Sequence, residues 1–329
     1  MKLTSEEMKL IKQASDKSMF VRTEQPGPDR QPEKLKEPSP PTVPSKRGFA
    51  AVAGMQHLKQ LVTDGFINVL KNKDCAEAYG IRPPSIIFYG PAGCGKSYFA
   101  KRMAEEVGIH FMKVVPDDIA CTWIHGTQEK IGEIFREAER HAPTLMFLDE
   151  FDAMVPKRNG HPSNQAYNGE VNEFLCKLDN ASERGIYVLA ATNQPDYIDQ
   201  AILRTGRFDE IIYVDMPDHE ARKSLFTLSL SDIPSEEDID YDRLAELSKG
   251  FNCSDITYIV KAAARETFNA TIKNGGYPYL KVTQRLLEET AARKVPSVNS
   301  RTLCDFERLR SIYSPKDATR KNVTIGFHL

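Results

Sequence analysis

The chain has 329 residues, enough for a large hydrophobic core and for two domains. Its 44 Lys and Arg residues nearly balance its 46 Asp and Glu residues, and the formal net charge of −2 argues against a general attraction to nucleic acid or to an anionic membrane. The sequence shows no apolar run of membrane-spanning length and no signal-peptide core, and its six scattered cysteines favour free thiols in a reducing cytoplasm.

Residues 1–45 are predicted to form an N-terminal arm and a proline-rich linker. Seven prolines between Pro26 and Pro44 exclude a helix or a central strand, so this linker is expected to be extended and solvated. The composition favours a disordered tail. The alternative is a tether that brings a partner or substrate to the chain.

Residues 46–215 alternate between strand and helix patterns. Apolar runs predict five strands, at residues 86–89, 111–115, 145–148, 186–190 and 211–214. Helical spacing of apolar residues separates them, for example at Ile131, Ile134 and Phe135. The expected fold class is α/β, with a parallel five-stranded sheet sandwiched by helices.

Residues 216–329 show no further strand pattern. Apolar spacing predicts four helices, the third with Ser254 as its candidate N-cap, and residues 296–313 suggest a last helix that packs back on the body. A small all-helical lid domain is therefore expected to follow the sheet.

A glycine-rich turn joins the first predicted strand to the next helix. It consists of Gly90, Pro91, Ala92, Gly93, Cys94, Gly95, Lys96 and Ser97. Its glycines let successive N–H groups point at phosphate oxygens, Lys96 would reach the β- and γ-phosphates, and Ser97 would offer its hydroxyl to Mg²⁺. This is the P-loop arrangement of a P-loop NTPase. The alternative is a turn without a ligand, because a chance match is expected in about one chain in a hundred of this length.

Two carboxylates, Asp149 and Glu150, follow a buried strand. Ligands of parallel sheets bind outside the carboxyl ends of the strands, which would place both residues beside Lys96 and Ser97. Asp149 would hold Mg²⁺ through water, and Glu150 would orient and polarise the attacking water. The alternative is a solvated strand end, and the upstream P-loop favours the catalytic role.

Asn193 ends the next predicted strand. Its uncharged amide would hold the attacking water or touch the γ-phosphate. The alternative is the ordinary role of Asn in a turn, here before Gln194 and Pro195.

Arg204 and Arg207 lie far along the chain from the P-loop. A guanidinium supplied by a neighbouring subunit stabilises the charge that spreads over phosphate oxygens during phosphoryl transfer. The alternative is a surface salt bridge, for instance with Asp209 or Glu210.

Together these motifs resemble those of the AAA ATPases of the AAA+ superfamily, over residues 47 to 313. Gly90–Ser97 is similar to the Walker A motif, with Cys94 where Thr is usual. Leu145–Glu150 is similar to Walker B, and Thr192-Asn193 to sensor 1.

The resemblance continues beyond the predicted sheet. Gln200–Asp209 resembles the second region of homology, which implies that Arg204 and Arg207 act as fingers into the adjacent subunit. Asn252–Ile256 resembles the start of the family's lid helix, with no sensor-2 arginine. The end of the chain, from Pro296, resembles the katanin, spastin and valosin-containing-protein group.

The resemblance implies ATP and Mg²⁺ as cofactors and a homohexameric ring. The main chain around Ala53 and Gly54 would be available to the adenine, and Tyr98 would complete the nucleotide site. The chain would then be a motor that remodels polypeptides. The alternative is an ATP-dependent switch or scaffold that recruits a partner, while a nucleic-acid motor is disfavoured by the charge composition.

Trp123 and Ile124 lie between a predicted strand and an amphipathic helix. Their residue types alone favour a core position. The resemblance reverses this prediction and implies a first pore loop that grips substrate, although His125 separates the pair from Gly126. Residues 157–168 would form the second pore loop.

Cys94 stands beside the expected phosphates at a helix N-terminus. That position predicts a lowered thiol pKa and sensitivity to oxidation.

Overall fold

The computed structural model describes residues 47–119, 126–157, 173–174, 176–198, 202 and 207–313. The predicted arm and linker, the pore-loop residues Trp123 and Ile124, and Arg204 lie outside the described residues.

Five parallel strands form one sheet, which confirms the predicted fold class. The strands are β1 (Ile86–Tyr89), β2 (His110–Val114), β3 (Thr144–Leu148), β4 (Ile186–Thr192) and β5 (Glu210–Tyr213). Their order across the sheet is β2-β3-β4-β1-β5. β4 therefore separates the strand that leads into the P-loop from the strand that precedes Asp149.

The sheet is buried on both faces. Every residue of β1, β3 and β4 is buried, as their continuous apolar runs predict. Alternate residues of β1 enter opposite hydrophobic clusters, with Ile87 on one face and Ile86 and Phe88 on the other. These clusters fix the strands, so the side chains just beyond the strand ends lie on a rigid support.

Helices cover both faces and precede the sheet. In this part of the chain they are α1 (Gln56–Val62), α2 (Asn68–Lys71), α3 (Lys73–Ala78), α4 (Lys96–Val107), α5 (Pro116–Ile119), α6 (Gly126–Arg140) and α7 (Phe151–Met154). A π-helical turn, Thr63–Ile67, joins α1 to α2. Among the described residues, no helix is both long enough and apolar enough to cross a bilayer.

The C-terminal region is helical. It contains α8 (His219–Leu230), α9 (Tyr241–Leu247), α10 (Cys253–Lys273), α11 (Gln284–Arg293) and α12 (Ser300–Tyr313). Its own hydrophobic cluster includes Phe226, Leu244 and Ile259. This region therefore has a core distinct from those of the sheet.

The N-cap of α10 is Asn252, so the prediction of Ser254 as the cap is wrong. Asn252 has extended backbone angles, and its side chain accepts a hydrogen bond from the Asp255 N–H at 2.8 Å. Asp255 completes a capping box by accepting from the Asn252 N–H. Ser254 lies inside the first turn, two positions too late to cap the helix.

The last helix, α12, packs back against the sheet as predicted. The Tyr313 ring lies 5.6 Å from the ring of Tyr89, the final residue of β1. The Tyr313 hydroxyl donates to Asp196, which follows β4, at 3.4 Å. On the neighbouring strand, the Phe306 ring lies 6.2 Å from that of Tyr213. Helix α12 thus contacts the last residues of β1 and β5 and the turn that follows β4.

Candidate nucleotide-binding site

The turn between β1 and α4 has a backbone that requires glycine. Gly90 has a φ of +152°, and a Cβ there would lie 2.2 Å from the Val214 carbonyl oxygen. Gly93 has a φ of +77°, and its Cβ would lie 2.5 Å from the Asn252 side-chain nitrogen. A side chain at either position is blocked by backbone conformation and by space together. The turn ends at Lys96, the first residue of α4.

Lys96 is buried beneath this turn. Its Nζ donates to the carbonyl oxygens of Gly90 at 2.8 Å and Pro91 at 2.9 Å, and to Asn193 Oδ1 at 2.7 Å. Burial lowers the pKa of Lys96 to about 8, against the opposing attraction of nearby Asp149 and other groups. An anion at the turn would favour the charged form of this amine.

Ser97 and Asp149 meet across the intervening strand β4. The Ser97 hydroxyl donates to Asp149 Oδ2 at 3.0 Å. The same carboxylate oxygen lies 2.8 Å from Nζ of Lys113, a residue of β2. A hydroxyl and a carboxylate oxygen side by side are the hard donors that Mg²⁺ prefers, so these residues fit the cation that the sequence predicts.

Glu150 follows Asp149 and is exposed at the mouth of the site. Its backbone is left-handed, with φ of 52°, and its N–H donates to Asp149 Oδ1 at 3.2 Å. A non-glycine residue in this conformation is uncommon and is frequently found at functional sites.

The end of β4 is hydrogen-bonded to Asp152, two residues after Glu150. The buried Thr192 hydroxyl donates to Asp152 at 2.6 Å and accepts from the Gln194 N–H at 2.8 Å. These bonds orient the turn that carries Asn193. Asn193 is exposed to the cavity and contacts Lys96, so the predicted amide and the predicted lysine do lie together.

Two adjoining cavities open at the P-loop. A polar cavity of about 380 Å³ is lined by Lys96, Ser97, Asp149, Glu150 and Asn193 among others. A second, more apolar cavity of about 620 Å³ is lined by Ala53, Met55, Leu225 and Tyr258 among others. The residues that line both are Gly93, Gly95, Tyr98 and Ser254. A polar and an apolar compartment in contact suit a ligand with phosphates at one end and an aromatic base at the other.

The predicted residues Ala53, Gly54 and Tyr98 are placed differently from one another. Ala53 lines the apolar cavity, and the Tyr98 hydroxyl donates to the Ala51 carbonyl oxygen at 2.8 Å. Gly54 packs against α8, where an added Cβ would lie 2.4 Å from the Cβ of Ala221. Gly54 is therefore required for the approach of α8 and is not among the described lining residues.

The helical region contacts the P-loop directly, which the sequence reasoning missed. Asn252 Nδ2 donates to the Ala92 carbonyl oxygen at 2.9 Å, and the Ser254 N–H donates to that of Gly93 at 3.1 Å. The cap residue Asn252 before an apolar-periodic helix indicates only where the helix begins, and no local sequence pattern indicates its contact with the P-loop.

The predicted low pKa of Cys94 is wrong. Its side chain is fully buried, and burial raises the thiol pKa to about 12, with Cys253 contributing in the same direction. The Cys94 sulfur lies 3.5 Å from that of Met216 and away from the phosphate cavity lining. Loss of solvation therefore outweighs the helix N-terminus and Lys96.

Arg207 lies 3.4 Å from Asp179 through its Nε. The described residues that line the two cavities do not include it. Arg207 thus has an ion pair with Asp179, a partner that the sequence-based alternative did not name.

The fold and the site define a P-loop nucleotide-binding protein. Residues 86–216 match the family described as "ATPase family associated with various cellular activities (AAA)". The chain belongs to the AAA ATPases, which confirms the resemblance seen in its motifs.

Several curated relatives are similar over most of this chain. A cell division cycle protein 48 homolog of Archaeoglobus fulgidus is 31% identical over 268 residues, which cover 78% of this chain and 37% of the relative. A putative cell division cycle ATPase of Plasmodium falciparum is 31% identical over 67% of this chain and 18% of its own length. Protein SAV of Sulfolobus acidocaldarius is 34% identical over 67% of this chain and 28% of its own length. The chain thus spans well under half the length of each.

Proposed function

We propose that the chain hydrolyses ATP at this site with the help of Mg²⁺. The observation that carries the proposal is the contact of Ser97 with Asp149 at 3.0 Å, beside a buried Lys96 that contacts Asn193 at 2.7 Å. Four groups, two from the start of helix α4 and two from the ends of β3 and β4, thereby face one polar cavity. Their types match the needs of phosphoryl transfer, which are positive charge, a cation site and a positioned water.

Each residue has a distinct role in the proposed reaction. Lys96 exchanges its carbonyl partners for phosphate oxygens and neutralises their charge. Ser97 and Asp149 would hold Mg²⁺, which supplies further neutralisation of the phosphates when bound. Glu150 accepts a hydrogen bond from the attacking water and orients it, and Asn193 holds that water or the γ-phosphate.

The variant Glu150→Gln tests the assignment of the base. It should bind ATP as the wild type does and hydrolyse it orders of magnitude more slowly, because the amide does not take a proton from water. Equilibrium binding of ATP and release of phosphate are the two measurements. Glu220→Gln, at another exposed glutamate, should change neither. Normal turnover by Glu150→Gln would show that the base lies elsewhere.

We further propose domain limits of 46–215 for the ATPase domain and 216–329 for the lid. Strand β5 ends at Tyr213 and helix α8 begins at His219, which supports a joint between them. Asn252 and Ser254 connect the lid to the P-loop, so a ligand that moves this turn would also move the lid. The free thiols of the described cysteines, such as exposed Cys75 and Cys304, support a reducing, cytoplasmic location.

The assembly we propose is a homohexameric ring, with Arg204 and Arg207 reaching the site of the next subunit. The resemblance of Gln200–Asp209 to the second region of homology supports a role in trans. On this proposal a monomer hydrolyses ATP poorly, and Glu150→Gln accumulates as a ring in ATP. A concentration series of sedimentation and ATPase rate checks both statements. Activity per chain that stays constant down to the monomer would contradict the ring.

For the work done by hydrolysis, we propose remodelling of polypeptide substrates drawn through the ring by Trp123 and Ile124. Trp123→Ala should keep basal ATPase activity and lose stimulation by an unfolded polypeptide. Equal loss of both would indicate a packing role for the tryptophan. A second candidate, an ATP-dependent switch that recruits a partner, is favoured by His125 between Ile124 and Gly126. It predicts no stimulation by unfolded polypeptide, and stimulation by single-stranded DNA would instead favour a nucleic-acid motor.

A further inference from the structure

Lys113 brings an ammonium group to Asp149, one of the residues that line the polar cavity. Its Nζ lies 2.8 Å from Asp149 Oδ2, the oxygen that also accepts from Ser97. The sheet register explains the contact. Lys113 pairs with Phe147 in β3, and Asp149 lies two residues beyond Phe147, so Lys113 and Asp149 share one face of the sheet.

The charged groups around the Lys113–Asp149 pair determine how this pair affects ligand binding. Asp149 and Glu150 place two carboxylates beside a cavity suited to a triphosphate, and Lys96 donates to two carbonyl oxygens and to Asn193. The Asp149 side chain is 19% exposed, so solvent screens it only in part. Lys113 is 46% exposed and can swing into water on its flexible stem.

We propose that Lys113 is a positioning residue that neutralises Asp149 until a divalent cation replaces it. The inference rests on the proposed Mg²⁺-ATP function. While Lys113 is in place, it holds Asp149 against Ser97 and weakens the repulsion between Asp149 and an incoming triphosphate. A cation at Ser97 and Asp149 competes with the ammonium group for the same carboxylate oxygen. Lys113 therefore lowers cation affinity in the empty site and favours metal-free nucleotide.

The first test is Mn²⁺ binding to the nucleotide-free protein, measured from the electron paramagnetic resonance signal of free Mn²⁺. The binding that Asp149→Asn removes belongs to this site. Lys113→Met should bind Mn²⁺ there roughly fivefold more tightly, the size of effect of a partly exposed charge pair. Lys113→Arg should resemble the wild type. The matched control is Lys177→Met, at a partly exposed lysine 3.5 Å from Glu173, and it should change nothing.

The second test is binding of a fluorescent ATP analogue. In EDTA, Lys113→Met should bind it roughly fivefold more weakly, because Asp149 then repels the phosphates. In saturating Mg²⁺ its affinity should equal that of the wild type. Opposite shifts for Mn²⁺ and for metal-free nucleotide are the signature, since misfolding would weaken both.

Each contrary result has a different meaning. Unchanged Mn²⁺ and metal-free affinities in Lys113→Met would overturn the inference while ATP binding stands, and so would a wild type from which Asp149→Asn removes no Mn²⁺ binding. A wild type that binds no ATP analogue would overturn the proposed function and this inference together.

Discussion

The two sides of the nucleotide site are built in different ways. On the sheet side, Asp149 and Asn193 directly follow buried strands and Lys96 begins the helix after the P-loop turn, and each contacts another residue of the site. On the lid side, Asn252 and Ser254 reach the P-loop through two hydrogen bonds to its carbonyl oxygens. The sheet side is thus preorganised by a core, whereas the lid side depends on a few separable contacts. Substituting one residue on each side tests this difference.

The largest effect is expected on the sheet side, from Lys96→Met. Loss of a buried charge that binds phosphate should weaken ATP binding by about 100-fold. This corresponds to about 3 kcal/mol, as expected for a hydrogen bond to a charged group. Isothermal titration calorimetry measures this loss. Lys101→Met, at an exposed position of the same helix, should leave the affinity unchanged. A loss of less than about threefold in Lys96→Met would contradict the central role of this amine.

The pH dependence of ATP binding tests the same lysine without mutation. Its pKa of about 8 lies below the ordinary 10.5, so the amine loses its proton as the pH rises through 8. ATP binding must then restore the proton, and affinity should fall by up to tenfold per pH unit between pH 8 and 10.5. The free energy of unfolding of the nucleotide-free protein has the opposite pH dependence. The unfolded chain binds more protons in this window, so the contribution of Lys96 to the free energy of unfolding rises with pH. Titrations at pH 7, 8 and 9 check the first statement, and an affinity that stays level would refute it.

A smaller effect is expected on the lid side, from Asn252→Ala. The variant loses a helix cap and the bond to the Ala92 carbonyl oxygen, which should lower the free energy of unfolding by about 1–2 kcal/mol. The matched control is Asn299→Ala, since Asn299 accepts from the Thr302 N–H at 2.8 Å at the start of α12 without touching the P-loop. Urea unfolding should show similar losses for both. Only Asn252→Ala should change ATP affinity, by roughly fivefold, and equal affinities would show that the lid contact is incidental.

The smallest effect is expected at Cys94, which lies between the two sides. With its pKa raised to about 12 by burial, it should resist iodoacetamide while exposed Cys75 reacts. Peptide mass spectrometry separates the two sites. Alkylation of Cys94 at a rate close to that of Cys75 in the folded protein would show that the P-loop opens far enough to expose its interior.

The sheet side was largely predictable from the sequence, because its signals are local. Continuous apolar runs predict strands such as β3, and parallel strands bring Asp149 and Ser97 to one edge. The position of β4 in the sheet was harder to predict from the sequence. Strand order decides that Asn193 lies between the other two motifs, and no local pattern encodes that order.

The features that the sequence did not predict correctly depend on tertiary contacts. Lys113 looks like an ordinary exposed lysine until the register places it on the same face as Asp149. Ser254 and Asn252 are both good caps by residue type, and the backbone angles decide between them. The direction of the Cys94 pKa shift depends on burial, which the helix N-terminus alone does not reveal.

Helix α12 packs back on the sheet and connects its C-terminal end to the nucleotide site. Tyr313 leans on Tyr89, the residue before Gly90, and bonds to Asp196, three residues after Asn193. The Tyr313 side chain therefore contacts the residue before the phosphate-binding turn and a residue shortly after Asn193. A pull or a bound protein at this end of the helix would strain two chemically different parts of the site at once, without entering the cavity.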